Sequence, residues 1–306
     1  MLDPQELYEL SDELPETGQP VLIQALTGFV DAGNATRLAR EHLQSSLDDR
    51  VIATFDVDRL LDYRSRRPQM IFMEDHWESY AEPRLELRLL HDDAGEPFLM
   101  LGGPEPDLLW ERFTEAVTAL IDTLNVRVTI GLNSIPMAVP HSRPAGVTAH
   151  ATRRELISGY EPWLQRVQVP GSAGHLLEYR LGQQGKDAIG FAAHVPHYVS
   201  QAEYPAAAEV LLSSVSRTTG LLLPTEGLRT AADAVRADID RQVADTEEAG
   251  AVVQALEEQY DAFTRGRSGN NLLGTQTGPL PTADELGAEL ERFLASQPRP
   301  GDNPGA

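Results

Sequence analysis

Cysteine is absent from the 306-residue chain, and this absence removes several kinds of chemistry at once. Without a thiol there is no disulfide, no thiolate metal ligand and no cysteine nucleophile. Lysine is nearly absent as well, since Lys186 is the only lysine among the 25 basic residues. The sequence therefore leaves little room for catalysis by a side-chain amine.

Basic residues are scarce relative to acidic ones. The chain has 47 acidic and 25 basic side chains, which gives a formal charge of −22. Such a chain repels the phosphates of nucleic acids and the anionic headgroups of lipids, so we expect neither nucleic acid nor membrane as a partner. The one basic cluster, Arg64-Ser65-Arg66-Arg67, is interpreted as ordinary surface charge in preference to a phosphate site.

Long hydrophobic runs are also lacking. No window approaches the roughly 20 apolar residues that a membrane-spanning helix needs. The first 20 residues are polar and acidic and contain no apolar run, which argues against a secretory signal. We therefore expect a cytoplasmic protein, and no motif in the sequence predicts a cofactor.

The most informative stretch is an apolar run followed by a turn and a helix. Residues 21–27 are almost continuously apolar, which is typical of a strand buried on both faces. A turn of small residues, 28–33, leads into an amphipathic helix over residues 35–47, and a further strand is predicted at 51–55. This order indicates a βαβ unit, in which the two strands are parallel.

The remaining elements extend this pattern. Short apolar runs at 70–73, 84–90 and 98–101 predict antiparallel strands at the edge of the sheet. Helices are predicted at 108–124 and after Tyr204-Pro205, strands at 126–132 and 188–192, and irregular structure over 141–180. The predicted fold class is α/β, with three α/β/α layers and a mixed, mostly parallel sheet.

The composition changes after residue 225. Residues 1–225 are predicted to form the α/β core domain. Residues 226–265, rich in Ala, Asp and Glu, are predicted to be a helical extension, either a hairpin of helices or one long helix. Residues 266–297 are expected to be a linker with a short helix at 282–294, capped by Thr282, and residues 298–306 a disordered tail.

The turn after the first strand superficially resembles a phosphate-binding loop. Gly28 and Gly33 are five residues apart, however, which fits neither G-x-G-x-x-G nor G-x-x-x-x-G-K-[ST]. Asp31 would also repel an anion unless it caps the helix. A structural turn capped by Asp31 is therefore preferred to a phosphate site, and binding of a neutral or cationic group is left open.

Ser134 is the one candidate nucleophile near a strand end. Its surroundings, Gly131-Leu132-Asn133-Ser134-Ile135, do not match the G-x-S-x-G elbow, so an exposed turn residue is preferred. His141 and His150 could each supply a base, but the sequence does not place either one near the hydroxyl. No catalytic residue is assigned.

His194 and His197 are three residues apart and could ligate a metal if they lay on a helix. Pro196 lies between them and follows a predicted strand. We therefore expect an extended turn in which the two rings point apart, and no metal site is predicted.

Three strand ends converge if the sheet is doubly wound. Open α/β sheets bind ligands at the carboxyl edge of their strands, so this edge is the candidate pocket. The residues expected to line it are Gly28, Phe29, Asp31, Gly33, Asn133, Ser134, Met137, His194, His197 and Tyr198.

At these motifs the chain resembles the proteasome assembly chaperone 2 family in its long actinobacterial form, over roughly residues 1–265. The resemblance rests on the segments Gly28-Phe29-Val30-Asp31-Ala32-Gly33-Asn34-Ala35, Leu101-Gly102-Gly103-Pro104-Glu105-Pro106, Asn133-Ser134-Ile135-Pro136-Met137, His141-Ser142-Arg143-Pro144, His194-Val195-Pro196-His197-Tyr198 and Tyr204-Pro205.

This resemblance implies a fold similar to that of the purine nucleoside phosphorylases, a phosphorylase/hydrolase-like fold that is often trimeric. It implies a non-enzymatic assembly chaperone or binding protein that associates with itself and with a protein partner such as proteasome subunits. Family members that bind the proteasome α-ring use a C-terminal hydrophobic-Tyr-X ending, whereas this sequence finishes Asp302-Asn303-Pro304-Gly305-Ala306. The alternative is an enzyme of nucleoside phosphorylase or hydrolase type that acts on a small metabolite at the strand edge.

Overall fold

The computed structural model describes residues 3–14, 16–28, 30–161 and 166–267. The chain divides into two units, Met1–Glu258 and Gln259–Ala306, and the described residues of the second, 259–267, all belong to the last helix. The linker from residue 268 onward, the short helix at 282–294 and the tail at 298–306 lie outside the described residues.

Within these ranges, ten strands form two sheets. The strands are β1 (Tyr8–Leu10), β2 (Val21–Thr27), β3 (Asp49–Phe55), β4 (Met70–Met73), β5 (His76–Tyr80), β6 (Glu86–His91), β7 (Pro97–Pro104), β8 (Val128–Met137), β9 (Val147–Ala151) and β10 (Ala188–Pro196). The large sheet has the order β1-β3-β6-β7-β2-β8-β10-β9, while β4 and β5 pair with each other. Strands β7, β2, β8 and β10 run parallel at the centre, and the pairs outside them are antiparallel.

Helices cover both faces of the large sheet. They are α1 (Ala35–Ser46), α2 (Val57–Leu60), α3 (Trp110–Thr123), α4 (Ala173–Gln183), α5 (Pro205–Thr219), α6 (Glu226–Ala244) and α7 (Glu247–Arg267). Helices α1 and α5 share one apolar core with the sheet, and α3 and α4 share a second core on the opposite face. The predicted three-layer α/β/α architecture is therefore confirmed.

The helical extension consists of two helices. Helix α6 packs against α5 and contributes Leu228 and Ile239 to the first core. Its other side carries polar residues, which explains the strong Ala, Asp and Glu content of this region. The sequence predicted a helical region here and left open whether it was one helix or two.

Four predictions about elements differ from the structure. The run at 70–73 is not an edge strand of the large sheet, and the run at 98–101 belongs to β7, an interior strand. The segment 141–180 is not irregular throughout, because it contains the edge strand β9 and helix α4. Strand β8 continues five residues past residue 132, which carries Asn133 and Ser134 into the sheet.

The second sheet is a hairpin that we call the arm, residues 70–80. Its apolar side chains are unusually exposed, with Phe72 at 56% and Trp77 at 63% of full exposure. The two rings contact each other edge to face at 5.2 Å between centroids. Met70, Ile71, Met73 and Tyr80 are also exposed.

The arm is inserted between β3 and β6 at the carboxyl edge of the central strands. Its base is fixed there by Arg66, which donates to the carbonyl of Glu105 at 2.9 Å and pairs with Asp107 at 2.9 Å. The backbone N–H groups of Asp107 and Leu108 donate to the carbonyl of Leu60. Arg66 thus anchors the arm to the strand ends and is more than the ordinary surface charge that the sequence predicted for this cluster.

Candidate functional site

The turn between β2 and α1 is organised by Asp31. Its carboxylate accepts from the backbone N–H groups of Thr36 at 2.7 Å and Arg37 at 3.1 Å, in the first turn of α1. These N–H groups have no partner inside the helix, and a carboxylate there is also stabilised by the helix dipole. The predicted capping role of Asp31 is confirmed, and the cap occupies the position that an anion would need.

Gly33 lies in the same turn with φ = +64°, a conformation that favours glycine. Its N–H donates to the carbonyl of Ser200, and its carbonyl accepts from the N–H of Tyr204. A Cβ on Gly33 would lie 2.7 Å from the Cβ of Tyr204. The turn is therefore locked to the segment that follows β10.

The backbone at Gly28 packs closely against the side chain of Glu105. A Cβ at this position would lie 1.9 Å from Oε2 of Glu105, a buried residue whose Oε1 accepts from the N–H of Ala173 at 2.6 Å. Glu105 thereby caps α4 from the end of β7. Phe29, which the sequence placed in the candidate pocket, lies outside the described residues.

Ser134 is not the exposed turn residue that the sequence predicted. It lies in β8, is completely buried, and donates from Oγ to Asp31 Oδ1 at 3.0 Å. A parallel bridge also joins the backbones of Asp31 and Ser134. The prediction was wrong because β8 extends further than its apolar run, and the buried hydroxyl is satisfied by the same carboxylate that caps α1.

His141, in the loop after β8, links two polar side chains from other parts of the fold, Tyr198 after β10 and Asp240 on α6. His141 is buried, and its Nε2 lies 3.0 Å from Asp240 Oδ1 on α6. Because a carboxylate only accepts, Nε2 donates to Asp240, while Nδ1 lies 2.6 Å from the hydroxyl of Tyr198, which also accepts from the backbone N–H of His141. Burial raises the pKa of Tyr198. Tyr198 is therefore a half-buried hydrogen-bonding residue that connects the end of β10, through His141, with α6.

The next residues of this loop contact both helices of the extension. Ser142 donates to the carboxylate of Glu257 on α7, and Arg143 pairs with the same carboxylate at 3.4 Å. From α6, Arg236 donates to the carbonyl of Ser142 at 3.3 Å. The segment from His141 to Arg143 is thus a clasp that holds the extension on the core.

His194 and His197 point into different environments, as the sequence predicted. His194 is buried in β10 rather than in a turn, and its Nε2 lies 2.8 Å from the hydroxyl of Thr148. His197 begins a short 3-10 turn and is exposed. Met137, the last residue of β8, is half-buried.

The three strand ends do lie along one edge, because β2, β8 and β10 are parallel neighbours. Most of the polar groups expected to line a pocket there bind one another or the backbone. The contacts of His141 and His150 also exclude the idea that either serves Ser134 as a base, since His141 binds Tyr198 and Asp240. His150 stacks on Gly190 and binds Glu178 instead.

A second polar cluster lies on the α4 side of the sheet, and the sequence did not predict it. His150 on β9 binds Glu178 on α4 at 2.8 Å through Nδ1, and Nε2 of His175 lies 3.5 Å from the amide nitrogen of Asn133. The two imidazole rings are 5.9 Å apart and nearly perpendicular. This cluster is half-exposed, and of its members only Asn133 and His150 had been considered.

The two histidines of this cluster titrate in opposite directions. Burial lowers the pKa of His150, but the hydrogen bond and the negative charge of Glu178 together outweigh it, and the pKa lies above its ordinary value. Burial, followed by the charge of His150, lowers the pKa of His175. Neighbouring groups with opposed shifts are a pattern found in acid–base sites, so this cluster on the α4 side of the sheet has side chains suited to proton transfer.

The described ranges contain no group of side chains suited to a metal ion and no helix suited to a membrane. No three His, Asp or Glu side chains there are grouped in a way that could hold a metal ion. Among the residues that the structure places, no helix has the length and apolar character that a bilayer crossing requires.

A groove of about 520 Å³ lies at the opposite edge, beside the amino-terminal ends of β8 and β10. Its charged groups are paired: Arg153 binds Asp187 at 2.5 Å, and Lys186 binds Asp122. Arg127 donates to the carbonyl of Thr219. The groove is therefore lined by charges that already neutralise one another.

Comparison with known proteins places these motifs in context. The sequence model of the PAC2 family matches residues 25–243. A solved structure of a Mycobacterium tuberculosis protein of unknown function is 51% identical, with a TM-score of 0.84, and the match covers 87% of this chain and 92% of that chain. A Corynebacterium glutamicum protein of unknown function is 42% identical, with a TM-score of 0.80 and coverage of 85% and 99%.

A third similar structure is described as a proteasome-assembly chaperone homologue from Mycobacterium tuberculosis. It is 26% identical, with a TM-score of 0.70, and the match covers 76% of this chain and 99% of that chain. A comparison with curated protein sequences gave no match.

Proposed function

The chain belongs to the PAC2 family, and we propose that it is a cytoplasmic, non-enzymatic protein of assembly-chaperone type that acts through protein contacts. The observation that supports this proposal is that the polar residues of the family motifs form hydrogen bonds within the fold. Asp31, Ser134, His141 and Tyr198 are all bound to one another or to the backbone within the fold. Polar groups that are hydrogen-bonded within the fold in this way stabilise the structure. We therefore expect partner proteins to bind at the molecular surface.

The surface feature best suited to protein contact is the arm. The run Met70-Ile71-Phe72-Met73 has the apolar pattern of a strand covered on both faces, yet all four side chains are exposed in the single chain. A two-stranded hairpin alone is at best marginally stable in water, and exposed apolar patches of this kind mark interaction sites. The arm therefore needs a partner surface.

We assign that partner surface to a second copy of the chain, in a homo-oligomer for which the family suggests a trimer. Six large side chains that are about half exposed offer on the order of 500 Å² of apolar surface. This is most of the roughly 800 Å² that each partner buries in a stable interface. The charge of −22 makes copies repel one another, so an apolar contact has to supply the attraction.

A reconstitution experiment tests the chaperone role. The full chain is added to purified proteasome α- and β-subunits of its own host, and the formation of 20S particles is followed on native gels. We expect a several-fold increase in rate or yield, together with a complex between the chain and α-subunits. The same yield with and without the chain, and no complex at micromolar concentrations, would contradict the proposal.

The polar cluster of His150, His175 and Glu178 favours a second candidate function. An oriented His–Glu pair beside a second imidazole can move protons on the α4 face of the sheet, as an enzyme of nucleoside phosphorylase or hydrolase type requires. If this function is correct, the protein releases free base from nucleosides, with or without phosphate, and His150→Gln reduces the rate at least 100-fold. Chromatography of a nucleoside panel measures this, and a wild-type rate equal to the buffer rate would exclude the function.

A further inference from the structure

Arg40, in the middle of α1, differs from the other well-placed arginines of the fold. Its side chain is only 17% exposed, and its nearest carboxylate, Glu41, lies 3.7 Å away. Within the described part of the chain, none of its five N–H groups donates a hydrogen bond to a side chain or to the backbone. A guanidinium removed from water is normally paired, because leaving it unpaired is costly.

The neighbouring charges do not supply the missing partner. The other oxygen of Glu41 is 2.9 Å from Arg37, which also binds Glu203. Arg88, on the adjacent part of the sheet, is bound by Asp49 and Glu86. The carboxylates around Arg40 are thus engaged by other arginines.

The pKa of Arg40 is shifted in the opposite direction from those of the neighbouring arginines. Burial, which the charges of Glu41 and Asp31 only partly offset, lowers the pKa of Arg40, and the positive charges of Arg37 and Arg88 lower it further. The pKa values of Arg37 and Arg88, by contrast, are raised by their carboxylates. Arg40 is therefore a positive charge for which the fold supplies little compensation.

The position of the Arg40 side chain depends on Gly102, which lies directly beneath it. The arginine stem lies across Gly102 near the carboxyl end of β7, and a Cβ on that glycine would lie 2.6 Å from Cδ of Arg40 and 3.3 Å from its Cγ. Any larger residue at this position would displace the stem. Because Gly102 has no side chain, the side chain of Arg40 can pack directly on β7, the strand next to β2.

From these observations we propose that Arg40, seated on Gly102, binds a single oxyanion group, either a phosphate or a carboxylate, carried by a ligand or partner of this protein. The planar guanidinium offers two parallel N–H groups to two oxygens of such a group, a geometry that suits both chemistries. Arg37 and Arg88 do not compete for this group, because each is already paired with two carboxylates. The inference is independent of the assembly role proposed above, because it concerns α1 and β7 rather than the arm.

The test uses the full chain and two probes, inorganic phosphate and acetate, titrated against sodium chloride at constant ionic strength and pH. Thermal unfolding and calorimetry report binding, for which we expect a dissociation constant on the order of 1 mM, typical of one charge-assisted contact. Saturation by phosphate alone identifies a phosphate-bearing ligand, and saturation by acetate identifies a carboxylate-bearing one.

Arg40→Met removes the charge and retains an unbranched stem over Gly102. We expect it to weaken binding at least 10-fold and to leave the melting temperature in chloride unchanged or higher, because an uncompensated buried charge is lost. Arg50→Met, at an exposed arginine, is the matched control and should bind as the wild type does. Gly102→Ala keeps the arginine but displaces its stem, and should also weaken binding.

Three results would overturn the proposal. The first is the absence of saturable binding of either probe up to about 50 times the expected dissociation constant, which would make Arg40 an ordinary solvated arginine. The second is equal loss of binding in Arg40→Met and Arg50→Met. The third is a lower melting temperature of Arg40→Met in chloride with probe binding intact, which would show a purely structural arginine.

Discussion

Replacement of Asp31 by alanine is expected to lower the free energy of unfolding by about 3 kcal/mol. The change removes the acceptor for the first-turn N–H groups of Thr36 and Arg37, and it leaves the buried hydroxyl of Ser134 without its partner. Loss of a helix cap costs about 1 kcal/mol, and a hydrogen bond to a charged group contributes about 1.5–3 kcal/mol. Urea unfolding at fixed protein concentration measures the sum.

Two variants divide this effect into its parts. Ser134→Ala removes only the hydrogen bond between β8 and the turn, and Asp31→Asn keeps one acceptor for the cap. Each should cost less than half as much as Asp31→Ala. A loss below about 1 kcal/mol for Asp31→Ala would show that the turn is held by its other contacts, those of Gly33 with Ser200 and Tyr204.

If the arm joins copies of the chain as proposed, the double variant Phe72→Ser/Trp77→Ser is expected to convert the homo-oligomer into a monomer. Both rings are more than half exposed in the single chain, so their loss leaves the core unchanged and acts on association alone. Buried aromatic residues at the centre of an interface each contribute about 2–4 kcal/mol. We therefore expect the dissociation constant to rise at least about 1,000-fold, as measured by sedimentation velocity over a range of concentrations.

Tyr179→Ser provides the matched control for this experiment. Tyr179 is 61% exposed on α4, away from the arm, so its loss should leave the oligomer intact. Higher salt should tighten wild-type association, because it screens the repulsion between chains of charge −22. A wild-type chain that sediments as a monomer at all concentrations, or a double variant that associates like the wild type, would refute the assignment of the arm to a second copy.

The fold could be predicted to the extent that its elements bury apolar residues with a clear period. The run over β2 is buried on both faces, and this pattern alone predicted a central strand. The capping role of Asp31 followed from residue type and position before a helix. The family resemblance, which the match over residues 25–243 confirms, came from segments that prove to contact one another in space.

Other features depended on contacts that have no local signature. Helix α4 was missed because its sequence contains Gly174 and Gly182 and has only weak apolar periodicity, although Ser172 caps it. Once this helix is recognised, the spacing of His175 and Glu178 places both on one face, and the cluster with His150 becomes apparent. The arm was placed in the large sheet because a local pattern indicates that a strand needs cover, not which surface supplies it.

Buried polar residues are the hardest case for sequence reasoning. Ser134 was judged by its residue type, and a serine after an apolar run usually marks a turn. The partner that allows its burial, Asp31, is 103 residues away in sequence and meets it only through the parallel pairing of β2 with β8. Such a pair becomes visible only when strand order is known.

Lys186, which pairs with Asp122, also has a practical consequence because it is the single lysine of the sequence. This amine is the only one on a side chain, and it lies at the amino-terminal edge of the central strands, whereas the arm and Gly102 lie toward the carboxyl edge. Once the α-amino group has been blocked, which near-neutral pH favours because its pKa lies below that of lysine, an amine-reactive dye or surface will attach at one defined position. The protein can be immobilised or labelled in a single orientation, with the surfaces discussed above left free.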